Sequence, residues 1–285
     1  MVKNAIIFHF FVFQFLFSQI LNWKTINTTR EYSISGVAKF KNGFIAVHDN
    51  KKRGQARLSY IDQNLQLFKL IWPEKKLPFD LEAIFQLDPI NSKYIIMEST
   101  GKCYIISIDI KDNRIDVLNM FTLPKINKNM NLEGFAIYKS SQGVVLLYGD
   151  RGSSARPSTL FWGFFNLNNY QIKEVRQVEF SLPQPKKYRR NIGDIAISKN
   201  AEVWTSATSD PGNNGPFSTY IYNVGNITNE GDFEMNHPEL LIPIMAIQGQ
   251  KVEAMLFNKN SLVLMTDNEN YGSTFSIIKD FLNDK

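Results

Sequence analysis

Two stretches of the sequence share one pattern: Leu81-Glu82-Ala83-Ile84-Phe85 and Leu132-Glu133-Gly134-Phe135-Ala136. In each, a glutamate follows a leucine and precedes a small residue. Three further segments align with them without gaps, at residues 34–38, 192–196 and 252–256. The aligned second positions are 35, 82, 133, 193 and 253, so the copies lie 47, 51, 60 and 60 residues apart. A recurrence at this spacing indicates an array of similar structural units.

Short segments rich in Val, Ile, Phe and Tyr follow each copy, separated by Gly, Pro, Asn and Asp. This composition is typical of β-strands joined by turns. The second unit predicts further strands over 94–97, 103–110 and 115–123, and the fourth unit predicts its last strand over 240–247. Each complete unit therefore predicts a four-stranded sheet.

The fifth unit ends after a third strand at 274–278, whereas residues 20–28 supply a spare strand before the first unit. Pairing these two segments would close a ring and leave no open sheet edge. The sequence therefore predicts an all-β protein, a five-bladed β-propeller closed by an N-terminal strand. A six-bladed ring is the alternative, and it would need a further unit within residues 212–238. A β-sandwich is the other alternative, but repeats in phase argue against it.

The composition narrows the function classes. The 285 residues are 44% hydrophobic and 21% charged, which is typical of a globular protein. The formal net charge of +5 is too small to favour a nucleic-acid partner. A single cysteine, Cys103, and three histidines exclude an intramolecular disulfide and a zinc site built on cysteines or on many histidines.

Residues 1–19 have the features of a secretory signal peptide. Lys3 precedes an uncharged apolar run over residues 5–17, which is shorter than a membrane-spanning helix requires. The small residues of a cleavage site are poorly represented, so an uncleaved signal anchor is the alternative. We expect a secreted or periplasmic protein whose residues 20–285 form one propeller domain with no membrane span after cleavage.

Acidic residues recur where the innermost strands of the blades begin. Because these strands surround the central channel of a propeller, their carboxylates should converge and repel one another unless a cation neutralises them. Ca²⁺ accepts several oxygen ligands at such a site. The predicted metal ligands are Glu82, Glu133, Asp194 and Glu253. The alternative is that these carboxylates accept backbone N–H groups of neighbouring blades.

Polar turns between the second and third strands should face the same channel mouth. His48 is a candidate general base, next to Asp49, and Arg151 is a candidate to hold an anion. The remaining candidates combine cations and hydrogen-bonding groups that suit an anionic substrate. They are Asp150, Lys186, Lys187, Arg189, Arg190, Asp267 and Asn268. Each of these residues would also be ordinary in a turn or a solvated loop.

The strand starts at 81–84, 132–137 and 252–255, together with the turns Gly149-Asp150-Arg151-Gly152 and Thr266-Asp267-Asn268-Glu269, resemble a known family. They are similar to secreted phytase-like (esterase-like) propeller domains, and more distantly to the gluconolactonase and paraoxonase group of calcium-dependent propeller hydrolases. The resemblance implies a central Ca²⁺ held by the acidic residues of the first strands. The six blades, asparagine ligands and histidine pair found in parts of that group have no clear counterpart in this sequence.

Two functions follow as hypotheses. The first is a secreted metal-dependent hydrolase of phosphoesters or related esters, with an anionic small molecule as its substrate. The second is a non-catalytic secreted propeller that binds a glycan, a peptide or a protein partner at the same channel mouth.

Overall fold

The computed structural model describes residues 21–73 and 76–283, and the segment predicted to be a signal peptide lies outside them. The described chain folds into five antiparallel sheets, which confirms the all-β prediction. Three single-turn 3-10 helices, at Arg30–Tyr32, Pro238–Leu240 and Glu269–Tyr271, are the helical elements of this part of the chain. Within it, no helix has the length and apolar character to cross a membrane.

Each sheet is one blade of a five-bladed β-propeller. In the first three blades four strands follow one another in chain order from the channel outward. The first blade consists of β2 (Gly36–Phe40), β3 (Gly43–Val47), β4 (Leu58–Ile61) and β5 (Leu67–Leu70). The second consists of β6 (Leu81–Asp88), β7 (Lys93–Glu98), β8 (Lys102–Asp109) and β9 (Arg114–Thr122). The third consists of β10 (Leu132–Lys139), β11 (Val144–Asp150), β12 (Ser158–Asn166) and β13 (Gln171–Phe180).

The ring closes as predicted, through a strand from the start of the described chain. The fifth blade consists of β19 (Val252–Asn258), β20 (Ser261–Thr266) and β21 (Ser273–Ile278), with β1 (Lys24–Asn27) on its outer edge. β1 pairs antiparallel with β21, so that Lys24 lies opposite Phe275 and Thr25 opposite Thr274. Because β1 leads into the first blade and pairs within the fifth, these two blades cannot separate without breaking the pairing of β1 with β21.

The fourth blade absorbs the extra length of its repeat without forming a sixth blade. It consists of β14 (Arg189–Ile197), β15 (Glu202–Ser209), β16 (Ser218–Ile227), β17 (Phe233–Met235) and β18 (Met245–Gln248). Both β17 and β18 pair with β16, one near each end of that strand. The strand predicted over 240–247 therefore begins later than expected, at Met245. Residues 212–238, the candidate segment for a sixth blade, contain β16 and β17 of the fourth blade instead.

Blades pack on one another through apolar side chains. Between the first and second blades, for example, Ile45 and Val47 join Tyr94 and Ile96 in one buried cluster. Near the axis the innermost strands come so close that small residues are required. A Cβ added to Gly134 would lie 2.4 Å from Cγ1 of Ile195 on the next blade. The small residue after each glutamate therefore reflects packing of adjacent inner strands.

A register irregularity places three glutamates at the channel. In β6 the pairing with β7 shifts between Leu81 and Ala83, so Glu82 is an extra residue in the ladder. The same shift leaves Glu133 extra in β10 and Glu253 extra in β19. A β-bulge turns its extra side chain out of the regular alternation of a strand. The repeated sequence pattern therefore encodes a repeated bulge.

Candidate functional site

A polar cavity of about 430 Å³ lies at the mouth of the channel. Side chains from all five blades and from the segment before β2 line it. Seven of the described lining residues are acidic: Asp49, Asp80, Glu82, Asp210, Glu253, Asp267 and Glu269. Five are basic: Arg30, Lys51, Arg151, Arg190 and Lys251. The cavity is therefore lined by charged groups of both signs, with acidic groups in excess.

Lys251 is the most enclosed cation of this ring. Its residue is 1% exposed, and its Nζ donates to Oε1 of Glu269 at 2.6 Å. Three more carboxylate oxygens surround the same nitrogen, at 3.2 Å (Asp267), 3.4 Å (Glu253) and 3.5 Å (Asp210). Burial opposes the charged form of a lysine, but these carboxylates outweigh it and raise the pKa of Lys251 well above its usual range.

Arg190 and Arg151 neutralise the acidic groups beside Lys251. The Arg190 guanidinium pairs with Asp210, and its Nη1 lies 3.3 Å from Glu253 and 3.5 Å from Glu133. Nη1 of Arg151 donates to Glu133 at 2.9 Å. Burial would raise the pKa of Asp210, but Lys251 and Arg190 lower it below its usual range. The third, fourth and fifth blades thus share one continuous network of ion pairs.

Two further cations pair at the rim. Arg30 lies 2.6 Å from Oε2 of Glu269, and Lys51 lies 2.8 Å from Oδ1 of Asp80. The other oxygen of Asp80 accepts a hydrogen bond from the Ser99 hydroxyl at 2.7 Å. All five cations that line the described cavity are therefore paired with carboxylates of the chain itself.

Asp49 and Glu82 stand apart from this network. Among the described residues neither carboxyl group has a cation within 4.0 Å or a hydrogen-bond donor. Burial and the negative charges of Asp267 and Glu269 outweigh the positive charge of Lys251 and raise the pKa of Asp49 to about 7. Burial and the charges of Glu133 and Asp80 raise the pKa of Glu82 well above its usual range. These two groups can therefore exchange protons or accept a cationic partner from outside.

The four predicted metal ligands do not meet at one point. Glu82 and Glu253 line the cavity, and Glu133 is buried against the two arginines of the mouth. Asp194 accepts N–H groups of Ile195 at 2.7 Å and of Met255 at 2.6 Å, so it ties the fourth blade to the fifth. It also lines a second cavity, of about 310 Å³, among the later residues of the inner strands.

The arrangement of these carboxylates suits the lysine and arginine side chains of the chain itself better than it suits Ca²⁺. No group of three or more His, Cys, Asp or Glu side chains in the described ranges has a geometry suited to a metal ion. Of the four predicted ligands, Glu253 already lies 3.4 Å from the Lys251 ammonium and Glu133 lies 2.9 Å from the Arg151 guanidinium. Asp194 fits the alternative prediction, that a repeated acidic residue accepts a backbone N–H group of a neighbouring blade. Calcium binding stays a prediction of the sequence.

His48 does not belong to the cavity. Its side chain is fully buried, with Nδ1 2.6 Å from the carbonyl oxygen of Ser33 and Nε2 2.8 Å from the hydroxyl of Ser59. Burial lowers its pKa to about 4, which keeps the ring neutral near pH 7. The structure therefore assigns His48 to the hydrogen bonding of the first blade, and its predicted place at the mouth is wrong.

Three other candidates hold the loops in place. Asp150 accepts the backbone N–H of Asn131 at 2.8 Å and pairs with Arg156. Asn268 accepts, at 2.9 Å, the backbone N–H of Lys251, which corresponds to Asn131 in the fifth blade. The side chain of Arg189 donates to the carbonyl oxygen of Leu182 at 2.7 Å. These contacts fix the entry of each innermost strand against the turn beside it.

The remaining candidates divide between the cavity and the surface. Asp49, Arg151, Arg190 and Asp267 line the cavity, in agreement with the predicted face. Lys186 and Lys187 are exposed and lie outside its lining. A basic run in a loop is more often solvated than bound to a ligand, and this one follows that rule.

Lys251, Lys51, Arg30 and Asp80 belong to the cavity but were not among the predicted site residues. One signal could have indicated two of them. The residue two positions before each aligned glutamate site is polar in every repeat: Ser33, Asp80, Asn131, Asn191 and Lys251. A polar residue that recurs just before a buried strand should face the same mouth as the bulge that follows it.

No family model and no curated protein matches this chain. A crystal structure of a protein from Lactobacillus plantarum, determined by a structural genomics consortium, is similar to it at 11% sequence identity and a TM-score of 0.43. That similarity covers 75% of this chain and 58% of the other, so the chain spans 58% of the length of that protein. The resemblance to phytase-like and gluconolactonase-like propellers stays a prediction.

Proposed function

We propose that the channel mouth binds a ligand that carries a positively charged amino group, and that the protein acts as a binding propeller. One observation carries this proposal: Asp49 and Glu82 line the cavity without a cationic partner among the described residues, whereas all five cations there are paired. A buried carboxylate without a partner is costly, and a cation from the ligand would remove that cost.

The sequence led us to expect an anionic substrate, and the geometry favours the opposite charge. An anion would have to displace Glu133 from Arg151, or Asp210 from Arg190. A cation meets the carboxyl groups of Asp49 and Glu82 without breaking an existing pair. Charge complementarity of this kind contributes more to selectivity than to affinity.

Proton release should accompany the binding of such a ligand. At pH 6 Asp49 is largely protonated, because its pKa is about 7, and an incoming ammonium group favours its ionised form. Affinity for a permanently charged amine is therefore expected to increase as the pH rises from 6 to 8 and to level off above that range.

Calorimetry with three amine probes tests the proposal: putrescine, choline and glucosamine. Removing one charge-assisted contact through Glu82→Gln or Asp49→Asn should weaken binding by about tenfold. Glu230→Gln is the matched control, because it removes one negative charge from an exposed residue outside the cavity. Absence of binding by all three amines, or equal weakening by the control, would contradict the proposal.

Ester hydrolysis is a second candidate, supported by the raised pKa of both unpaired carboxyl groups. A carboxyl group that titrates near neutral pH can act as a general acid or base at a bound ester. p-Nitrophenyl acetate and p-nitrophenyl phosphate are suitable probes, each with EDTA and with CaCl₂. If Asp49 and Glu82 catalyse hydrolysis, the rate should show an inflection near pH 7 that Asp49→Asn abolishes. If the reaction depends on a metal ion, as the sequence predicts, the rate should be lost in EDTA.

We also propose export of the chain, on the basis of residues 1–19 alone. The measurement is N-terminal sequencing of the protein recovered from a secreting bacterial host. Cleavage near residue 19 in the periplasm or medium would support secretion, and recovery of an intact chain in the membrane fraction would favour the uncleaved anchor.

A further inference from the structure

We propose that the ammonium group of Lys251 takes the place that a divalent cation would occupy at the channel mouth, so that the mouth assembles without a metal ion. This inference concerns the fourth and fifth blades and does not depend on the ligand proposed for Asp49 and Glu82.

The first argument is the origin of the four carboxylates around Lys251. Asp210 follows β15 in the fourth blade, and Glu253 is the bulged residue of β19. Asp267 and Glu269 come from the turn after β20. Three separate segments therefore converge on one nitrogen, with contacts between 2.6 and 3.5 Å. Linking such segments through oxygen ligands is what a structural Ca²⁺ does in proteins.

The second argument is that the position is enclosed. Lys251 is 1% exposed, and the side chains of its four partners are between 2% and 8% exposed. Its backbone is held as well, since its N–H donates to Asn268 at 2.9 Å and the adjacent Val252 N–H donates to Thr219 at 2.9 Å. Lys251 is therefore fixed both at its ammonium group and at its backbone.

The third argument is charge. Arg190 neutralises Asp210 and Glu253 in part, but Asp267 lies within 4.0 Å of no other described cation. The pKa of Asp267 falls to about 2, because Lys251 and the N–H of Glu269 outweigh its burial. Without the ammonium, these carboxylates would repel one another inside a poorly solvated site. A cation from solution would then gain affinity for the place that the lysine had left.

The experiment compares the wild-type protein with Lys251→Met, which keeps an unbranched side chain, one atom shorter, and removes its charge. Thermal unfolding is measured at pH 7.5 in EDTA and in CaCl₂, with calorimetric titration of CaCl₂. For wild type we expect the same Tm in both buffers and no binding heat. For Lys251→Met we expect a lower Tm in EDTA and an increase of about 5 °C in saturating CaCl₂.

Lys186→Met is the matched control, because it makes the same substitution at an exposed lysine outside the cavity. Its Tm should not respond to CaCl₂. Stoichiometric binding of Ca²⁺ by wild type would overturn the inference, and this arm needs no variant to fold. A folded Lys251→Met whose Tm is the same in EDTA and CaCl₂ would also overturn it. Loss of amine binding by Glu82→Gln, or its absence in wild type, leaves both outcomes unchanged, so the two proposals fail separately.

Discussion

The two halves of the channel mouth carry the same kinds of side chain but balance their charges differently. On the side of the third to fifth blades, Lys251, Arg190 and Arg151 contact Glu133, Glu253 and their neighbours in one network. On the side of the first and second blades, Asp49 and Glu82 lack such partners among the described residues, and Lys51 reaches Asp80 instead. One half is therefore neutralised by its own side chains, whereas the other keeps the two carboxyl groups that we propose as the ligand site.

Arg190→Gln should give a larger loss of stability than any change on the side of the first and second blades. The variant removes a mostly buried cation from contact with Asp210, Glu253 and Glu133. Breaking a buried ion pair by removing one partner costs about 3 kcal/mol. Urea denaturation at pH 7 measures the free energy of unfolding. Arg176→Gln is the control, since it breaks an exposed pair with Asp232 and should cost less than about 1 kcal/mol. Equal losses in the two variants would contradict the structural role of this half.

Asp49→Asn, on the side of the first and second blades, should increase the free energy of unfolding instead of lowering it. Between about pH 4 and 7 the folded protein holds a proton on Asp49 that the unfolded chain has released, so the stability that this group contributes is lost as the pH rises to 7. The amide removes that loss. We expect the variant to be more stable than wild type by about 1–2 kcal/mol at pH 8, and equally stable below pH 4.

Chemical denaturation at pH 4 and at pH 8 measures both differences. The charge-matched Glu230→Gln should differ from wild type by the same small amount at both pH values, because Glu230 is exposed. A destabilised Asp49→Asn at pH 8 would mean that Asp49 has a favourable partner, and the contrast between the halves would then disappear.

Lys51→Met should have the smallest effect. The side chain of Lys51 is half exposed and contacts one carboxylate, whereas the mostly buried Arg190 contacts three, so the loss should be smaller than that of Arg190→Gln. Burial lowers the pKa of Lys51, but the hydrogen bond and charge of Asp80 outweigh it and raise the pKa above its usual value. The pair is therefore charged at neutral pH. A loss comparable to that of Arg190→Gln, measured by urea denaturation, would show that the network extends around the whole mouth.

Much of the fold could be predicted from the sequence, because each blade repeats a local pattern. The strand segments, the number of blades and the closing pair of β1 with β21 follow from apolar periodicity and from counting strands. The two strands that share β16 in the fourth blade could not be predicted. Both pair with the edge of β16 that β15 leaves free, one near each end, and a sequence pattern does not say which segment meets which end.

The candidate site could be predicted only in part. Glu82, Glu133 and Glu253 were found because the bulge that turns each of them toward the channel recurs with its small neighbour. His48 and Asp194 were misplaced because a polar residue beside a strand can face the channel or satisfy the backbone. Which of the two a polar residue does depends on the groups that surround it in the folded structure.

The sequence by itself therefore determined a ring of five similar units with carboxylates where the inner strands begin. Only the tertiary structure decided which of those carboxylates are neutralised, because the ammonium of Lys251 meets acidic groups from two blades and as many as 41 residues away along the chain, at Asp210. Periodicity reports which face of a strand is buried, whereas ion pairing depends on distances of a few ångströms between segments that only folding brings together.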